Sequence, residues 1–245
     1  MAGEQRAARG WLDERLPAFF VLLLLAATAA AFVRTQQQKL EPSPLQVVHV
    51  DELFSPVCRC RTSRATISLR VRTRSRITLT VVNAQGDVVR TLLASHRLRK
   101  RAVVAEWDGR DDENRVVPDG VYRPRLRVAA ERRTFQLGNK IRVDTAPPTA
   151  TIVDVQPRVL EPIGDGRANR VSVRYLLSER AQPFLYVNEL LRVRGFSRKR
   201  EGKLDWYVKV RPRSARRVRY RVRIGARDDA GNLSRRGRTV VIRVR

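Results

Sequence analysis

Histidine, cysteine and methionine are nearly absent from this chain of 245 residues, which holds two, two and one of them. The cysteines, Cys58 and Cys60, stand in a C-x-C spacing. That excludes the framework of several bridges with which small secreted folds make up for a small core. Three states stay open for the pair: free thiols, a local or intermolecular disulfide, or metal ligands. His49 and His96 are the available imidazoles, too few for the usual zinc ligand sets. The same shortage limits catalysis. No G-x-S-x-G, H-E-x-x-H or G-x-x-x-x-G-K-[ST] occurs. His49 reads as part of a polar tether and His96 as part of a basic loop, neither with an acid and a nucleophile near it in sequence. The sequence therefore predicts a protein that is not an enzyme, with no catalytic residues, no metal, no cofactor and no small-molecule substrate.

Acidic residues are scarce as well, 24 against 51 lysines and arginines, for a formal net charge of +27. In residues 1–33, Arg6, Arg9 and Arg15 balance Glu4, Asp13 and Glu14, so the whole excess lies beyond residue 33. One reading is an anionic partner: nucleic acid, an acidic membrane surface or a phosphate-bearing wall polymer. The other is arginine on the solvent faces of strands, which its even spread favours. Either way such a surface attracts polyanions in a salt-dependent manner. The lack of a DNA- or RNA-reading motif, together with an export segment, argues against nucleic acid.

Long apolar runs are missing too, with one exception. Leu16 to Val33 reads L-P-A-F-F-V-L-L-L-L-A-A-T-A-A-A-F-V and holds no charge, at the lower edge of the length that spans a bilayer. Two readings fit, an uncleaved signal anchor and a signal peptide cleaved near Ala27-Thr28-Ala29 or Ala29-Ala30-Ala31. The anchor is favoured because the run continues through Phe32 and Val33. The expected order is a short cytoplasmic N-terminus (1–15), a single transmembrane helix (16–33) and a tether (34–52) with the polar stretch Gln36 to Pro44. The positive charges flanking the segment bias the N-terminus slightly inward. The remainder then lies outside the cytoplasmic membrane.

After Pro56 the apolar residues recur with a period of two. Ile67, Leu69 and Val71 alternate with Ser68, Arg70 and Arg72, and Ile77, Leu79 and Val81 with Thr78 and Thr80, as in strands with one buried and one wet face. Asn83-Ala84-Gln85-Gly86 is a turn signal. Val88 to Leu93, Val103 to Trp107 and Val121 to Ala129 supply further strands, and Pro124 inside the last suggests an edge or a bulge. Val171, Val173, Tyr175 and Leu177 form a second such face, followed by Val218, Tyr220, Val222, Ile224 and by Val240, Ile242, Val244. No long helical pattern occurs after residue 40. The predicted class is all-β: two tandem immunoglobulin-like sandwiches, 53–145 and 149–245, separated by the stiff Pro147-Pro148 pair.

Trp107-Asp108-Gly109-Arg110-Asp111-Asp112-Glu113-Asn114 and then Val117-Pro118-Asp119-Gly120-Val121-Tyr122 resemble the W-D-G-x-D-x-x-G-x-x-V-P-x-G-x-Y signature of the bacterial Ig-like domain of flagellar hook-capping (FlgD-type) proteins. The strand Val88-Val89-Arg90-Thr91-Leu92 also matches. Asn114 replaces the usual Gly and tolerates the same left-handed turn. The resemblance covers residues 53–143 well and 149–245 more weakly, through Gly164-Asp165-Gly166, Leu177-Ser178-Glu179 and Ala226 to Asn232. The last stretch looks like the terminal hairpin of bacterial surface Ig-like repeats. Val57-Cys58-Arg59-Cys60 departs from the family, where an N-G-D-G-like loop is common, so no ion or turn role of that loop is carried over.

The signature residues Trp107, Asp108, Gly109, Asp111, Pro118, Gly120 and Tyr122 read as structural: a ring for the core, turns and a returning strand. Asp108, Asp111, Asp112 and Asp165 have two readings, calcium ligands or Asx turns. The leading expectation is a membrane-anchored, extracytoplasmic interaction module for an envelope protein or an anionic wall polymer. The alternatives are an assembly scaffold related to hook capping and an exported polyanion or nucleic-acid binder.

Overall fold

The computed structural model describes residues 19–34, 45–72, 75–98, 102–161, 169–208 and 218–244. The chain divides into two compact units, Met1–Gln46 and Val47–Arg245. In the first, residues 19–34 form a helix with every side chain exposed. Thr28 Oγ1 donates to the Leu24 carbonyl one turn back, which satisfies the one hydroxyl of this apolar run. Leu16, Pro17 and Ala18 of the expected span lie outside the described residues. Among the described residues no helix is long and apolar enough to cross a membrane.

Strands build the second unit, the first of them beginning at Leu45, two residues ahead of it. One sheet has the order β1 (Leu45–Val50), β3 (Ala65–Val71), β6 (Ala102–Trp107). The next runs β2 (Leu53–Phe54), β9 (Ile141–Val143), β7 (Gly120–Val128), β4 (Arg76–Val82), β5 (Val88–Arg97), with β8 (Arg133–Gln136) on β7. After residues 144–149 the pattern repeats. β10 (Ala150–Gln156), β12 (Asn169–Leu177) and β15 (Glu201–Val208) form a three-stranded sheet. β11 (Val159–Leu160), β17 (Val240–Val244), β16 (Arg219–Arg227), β13 (Gln182–Val187) and β14 (Leu190–Arg194) form a five-stranded one. The short strands β2 and β11 each pair in parallel with the last strand of their module. Strand for strand the two orders are the same, apart from the extra β8. The chain is thus a tandem of two immunoglobulin-like sandwiches, and the halves are topological copies.

The period-two pattern explains which face each strand buries. Ala65, Ile67, Leu69 and Val71 are buried on β3, and Val171, Val173, Tyr175 and Leu177 on β12, while the residues between them face out. Each buried Val, Leu or Ile side chain among them contributes about 1.5–3 kcal/mol by leaving water. The aromatic packing repeats as well. Trp107 on β6 meets Tyr122 on β7 edge to face at 5.1 Å, and Trp206 on β15 meets Tyr220 on β16 at 5.1 Å.

Four expectations change. β1 begins at Leu45, inside the stretch read as tether, and places His49 on a strand beside Asp51 at 2.9 Å. β5 continues to Arg97, so His96 lies opposite Ile77 in a sheet and not in a loop. The first module therefore starts earlier than residue 53. Pro124 is neither at a sheet edge nor at a bulge: β7 has β4 on one side, with Pro124 opposite Val81. On the other side β9 pairs with residues 120–122 and β8 with 125–128. Pro124 occupies the changeover between them, and its carbonyl accepts from Leu137 N at 3.0 Å. A residue without an N–H fits where no ladder partner waits for it.

Candidate functional site

The residues of the Trp107 signature build one interlocked corner of the first module. Trp107 is fully buried between Phe54 and Tyr122, and its Nε1 donates to the Arg110 carbonyl at 2.9 Å. Asp108 accepts from Arg110 N. Gly109 has φ +71°, and a Cβ there would stand 2.7 Å from Pro56 Cβ, so both conformation and space call for glycine. Asp111 accepts from Arg115 N at 2.8 Å and Arg115 Nε at 2.9 Å. Asn114 turns the chain at φ 65°. Asp112 accepts from Thr91 N at 3.0 Å. Gly120 opens β7, and the Tyr122 hydroxyl donates to the Pro118 carbonyl at 2.8 Å. Burial raises the Tyr122 pKa, and the Asp119 charge adds to it. Tyr122→Phe should cost about 1 kcal/mol of stability, the net worth of one hydrogen bond, read as a shift in denaturant midpoint at unchanged slope.

These contacts engage the carboxylates of Asp108 and Asp111 in turn hydrogen bonds and that of Asp112 in hydrogen bonds to Thr91 on β5. Asp165 lies outside the described residues, as do Gly164 and Gly166. Among the described residues no three of His, Cys, Asp and Glu are grouped to hold a metal ion. Cys58 and Cys60 are joined in a disulfide.

The second cluster joins the two modules. In the loop after β16, Asp228 accepts from Gly231 N at 2.7 Å and Asn232 N at 2.8 Å. This closes a tight turn with Gly231 at φ +104°. The turn presents the Asn232 side chain to the first module. Its Nδ2 donates to Asp228 Oδ2 and to the Asp144 carbonyl, both at 2.9 Å. Its Oδ1 accepts from Ser55 Oγ. Thr62 Oγ1 donates to the Ala230 carbonyl at 2.8 Å and lies 3.1 Å from Cys60 Sγ. Ser55, Asp228 and Asn232 are buried polar residues, at 0%, 4% and 4% exposure. A buried asparagine, serine and carboxylate are costly unless paired, and here each is. Gly231 sits so close to the disulfide loop that a Cβ would collide with Cys60 Sγ and lie 3.2 Å from Cys58 Sγ. A short loop of the first module, the chain at Asp144 and a turn of the second module are therefore fastened as one joint.

No protein-family model matches this chain, and no curated protein does. Among solved structures it is similar to the fibronectin(III)-like modules of Clostridium thermocellum CbhA, at 12% identity, over 82% of this chain and 94% of that one, with a TM-score of 0.42. It is similar also to a 1.5-MDa bacterial ice-binding adhesin, at 15% identity over 83% and 66%, TM-score 0.40. A third is a three-Ig fragment of titin, at 11% identity over 83% and 66%, TM-score 0.40. The immunoglobulin-like assignment rests on the strand order of the two modules.

Glu179, between β12 and β13, has a raised pKa. Burial is the largest cause, the charges of Asp228 and Asp144 add to it, and Arg142 offsets part. A carboxyl whose pKa rises on folding favours the folded state while protonated and loses that contribution as pH rises through the folded value. Glu179→Gln should therefore stabilise the protein at pH 7, and the gain should vanish below about pH 4, near the ordinary glutamate value. Denaturant midpoints of the two proteins at the two pH values test this.

The joint is not legible in the sequence. The stretch Asp228 to Asn232 stands out as a hairpin, but nothing local says that its asparagine reaches Ser55, far away in the chain. The repeated Trp206–Tyr220 pair does carry a signal, a tryptophan ahead of a tyrosine-bearing strand in each half.

Proposed function

We propose that the chain is a non-catalytic, membrane-anchored interaction protein that holds a FlgD-type Ig-like module and a second Ig-like module outside the cytoplasmic membrane in a fixed mutual orientation. The observation that carries the reading is the buried Ser55–Asn232–Asp228 joint, closed onto the Asp144 carbonyl. Two sandwiches on a free linker would need no buried polar contact between them. A fixed pair presents one continuous rigid surface and lowers the ordering cost of binding an extended partner. The uncharged run Leu16 to Val33 supports the anchor, and the Trp107-to-Tyr122 signature supports the FlgD-type assignment of the first module. An envelope protein or an anionic wall polymer is the partner such a surface suits.

The test is protease accessibility of the modules in intact cells, with sizing of the full-length chain in the membrane fraction. Digestion from outside, with the intact chain retained on membranes, is the expected result. Protection until lysis would place the modules on the cytoplasmic side and overturn the proposal.

A further inference from the structure

The seventh strand of each sandwich carries a run of three arginines at alternate positions. On β16, Arg219, Arg221 and Arg223 alternate with Tyr220, Val222 and Ile224; Val222 and Ile224 are fully buried. On β7, Arg123, Arg125 and Arg127 alternate with Pro124, Leu126 and Val128 in the same way. β7 and β16 hold equivalent places in the two sheets. Alternation makes the spacing of these side chains along each strand about 6.8 Å, two strand residues.

Some of these arginines are already occupied. Arg223 pairs with Glu189 at 3.2 Å and Arg125 donates to the Gly86 carbonyl at 2.6 Å. Arg219, Arg221, Arg123 and Arg127 have no acidic partner among the described residues, and neither does Arg243. Arg219 and Arg243 stand directly opposite each other on β16 and β17. Like charges so placed repel and cost stability. An anion between them reverses the sign of that interaction. Beside them lies an open cleft of about 510 Å³, lined by Asn188, Glu189, Arg219, Arg221 and Val241. Its one acid, Glu189, is held by Arg223 and Arg236.

We infer that these ladders, Arg219, Arg221 and Arg243 above all, form a binding surface for a linear phosphodiester polymer without bases, such as a polyol phosphate chain. Guanidinium forks match phosphate oxygens bidentately, and evenly spaced charges suit a repeating polyanion. Bases are not provided for on this face. Binding of single-stranded nucleic acid needs aromatic platforms. Here Phe184 is covered by Arg194 and Arg227 at 5.6 and 5.7 Å, and Tyr186 by Arg236 at 4.2 Å. The inference deepens the proposed function, since it names the partner of the interaction module.

The experiment uses the purified full-length chain in neutral detergent, with poly(glycerol phosphate) as probe and oligo(dT) of equal charge as comparator. The expected result is binding that weakens steeply with salt and is tighter for poly(glycerol phosphate). The R219S/R221S/R243S variant should lose about a hundredfold in affinity at low salt, at roughly a factor of five per arginine. The R123S/R127S variant reads the other ladder independently and, at the same factor per arginine, should lose about 25-fold. Thermal melts of both variants establish that they fold. Parent-like affinity in both folded variants, or tighter binding of oligo(dT), overturns the inference. Because binding is read on purified protein, a failure of the membrane topology would show in the protease experiment and leave this result standing.

Discussion

Asn232→Ala is expected to turn one cooperative thermal transition into two. The side chain makes charge-assisted and neutral hydrogen bonds to Asp228, Asp144 and Ser55 in a buried setting. Alanine removes these bonds and leaves the Ser55 hydroxyl and one Asp228 oxygen without their partner. Losing a hydrogen bond to a charged group costs about 1.5–3 kcal/mol and stranding a buried polar group about 1–3 kcal/mol. The total, about 3–5 kcal/mol, falls on the joint, while the core of neither sandwich is touched. Scanning calorimetry checks it. Two separated peaks, with the first module's and the second module's tryptophans reporting at different temperatures, are the expected outcome. A single peak at the parent's temperature would mean that the joint holds nothing together.

Trp107→Ala should cost about 3–5 kcal/mol, the usual range for emptying a buried aromatic site. The loss belongs to the first module alone. Trp107 is fully buried between Phe54 and Tyr122, and its Nε1 closes the loop at Arg110. Alanine therefore opens a cavity and also releases the turn that brings Asp111 and Asn114 into place. The second module keeps its own Trp206–Tyr220 pair. Far-ultraviolet circular dichroism should show an early loss from the first module, and the fluorescence change of Trp206 should follow at a higher denaturant concentration, as the second module unfolds without the support of the joint. An effect below about 1 kcal/mol would contradict the core role given to this ring.

The sandwiches are legible in the sequence because strands with one wet face must alternate. Ile67, Leu69 and Val71 are buried where the alternation puts them, and so are Val171, Val173, Tyr175 and Leu177. The turn at Asn83 to Gly86 is legible because Gly86, at φ +93°, takes a conformation other residues avoid. β1 is harder. Leu45 to Val50 faces solvent on most of its length, so its residues lack the contrast that marks a strand. His96 reads as loop because basic residues on an exposed strand look like those of a loop. Pro124 invites a rule about sheet edges, while the structure satisfies the physics behind that rule by changing neighbours within one sheet. The joint depends on contacts between residues 55–62 and 228–232, and no local pattern encodes a pairing at that distance.

The parallel pairing of β2 with β9, and of β11 with β17, has a mechanical meaning. In each module the strand near the entry of the chain lies beside the strand near its exit, both running the same way. A pull on the two ends of a module slides these strands along each other. Their hydrogen bonds then bear load together, whereas an antiparallel pair joined at its ends would open one bond at a time. Tension applied across β2 and β9, or across β11 and β17, is borne at these two short contacts by all their hydrogen bonds at once.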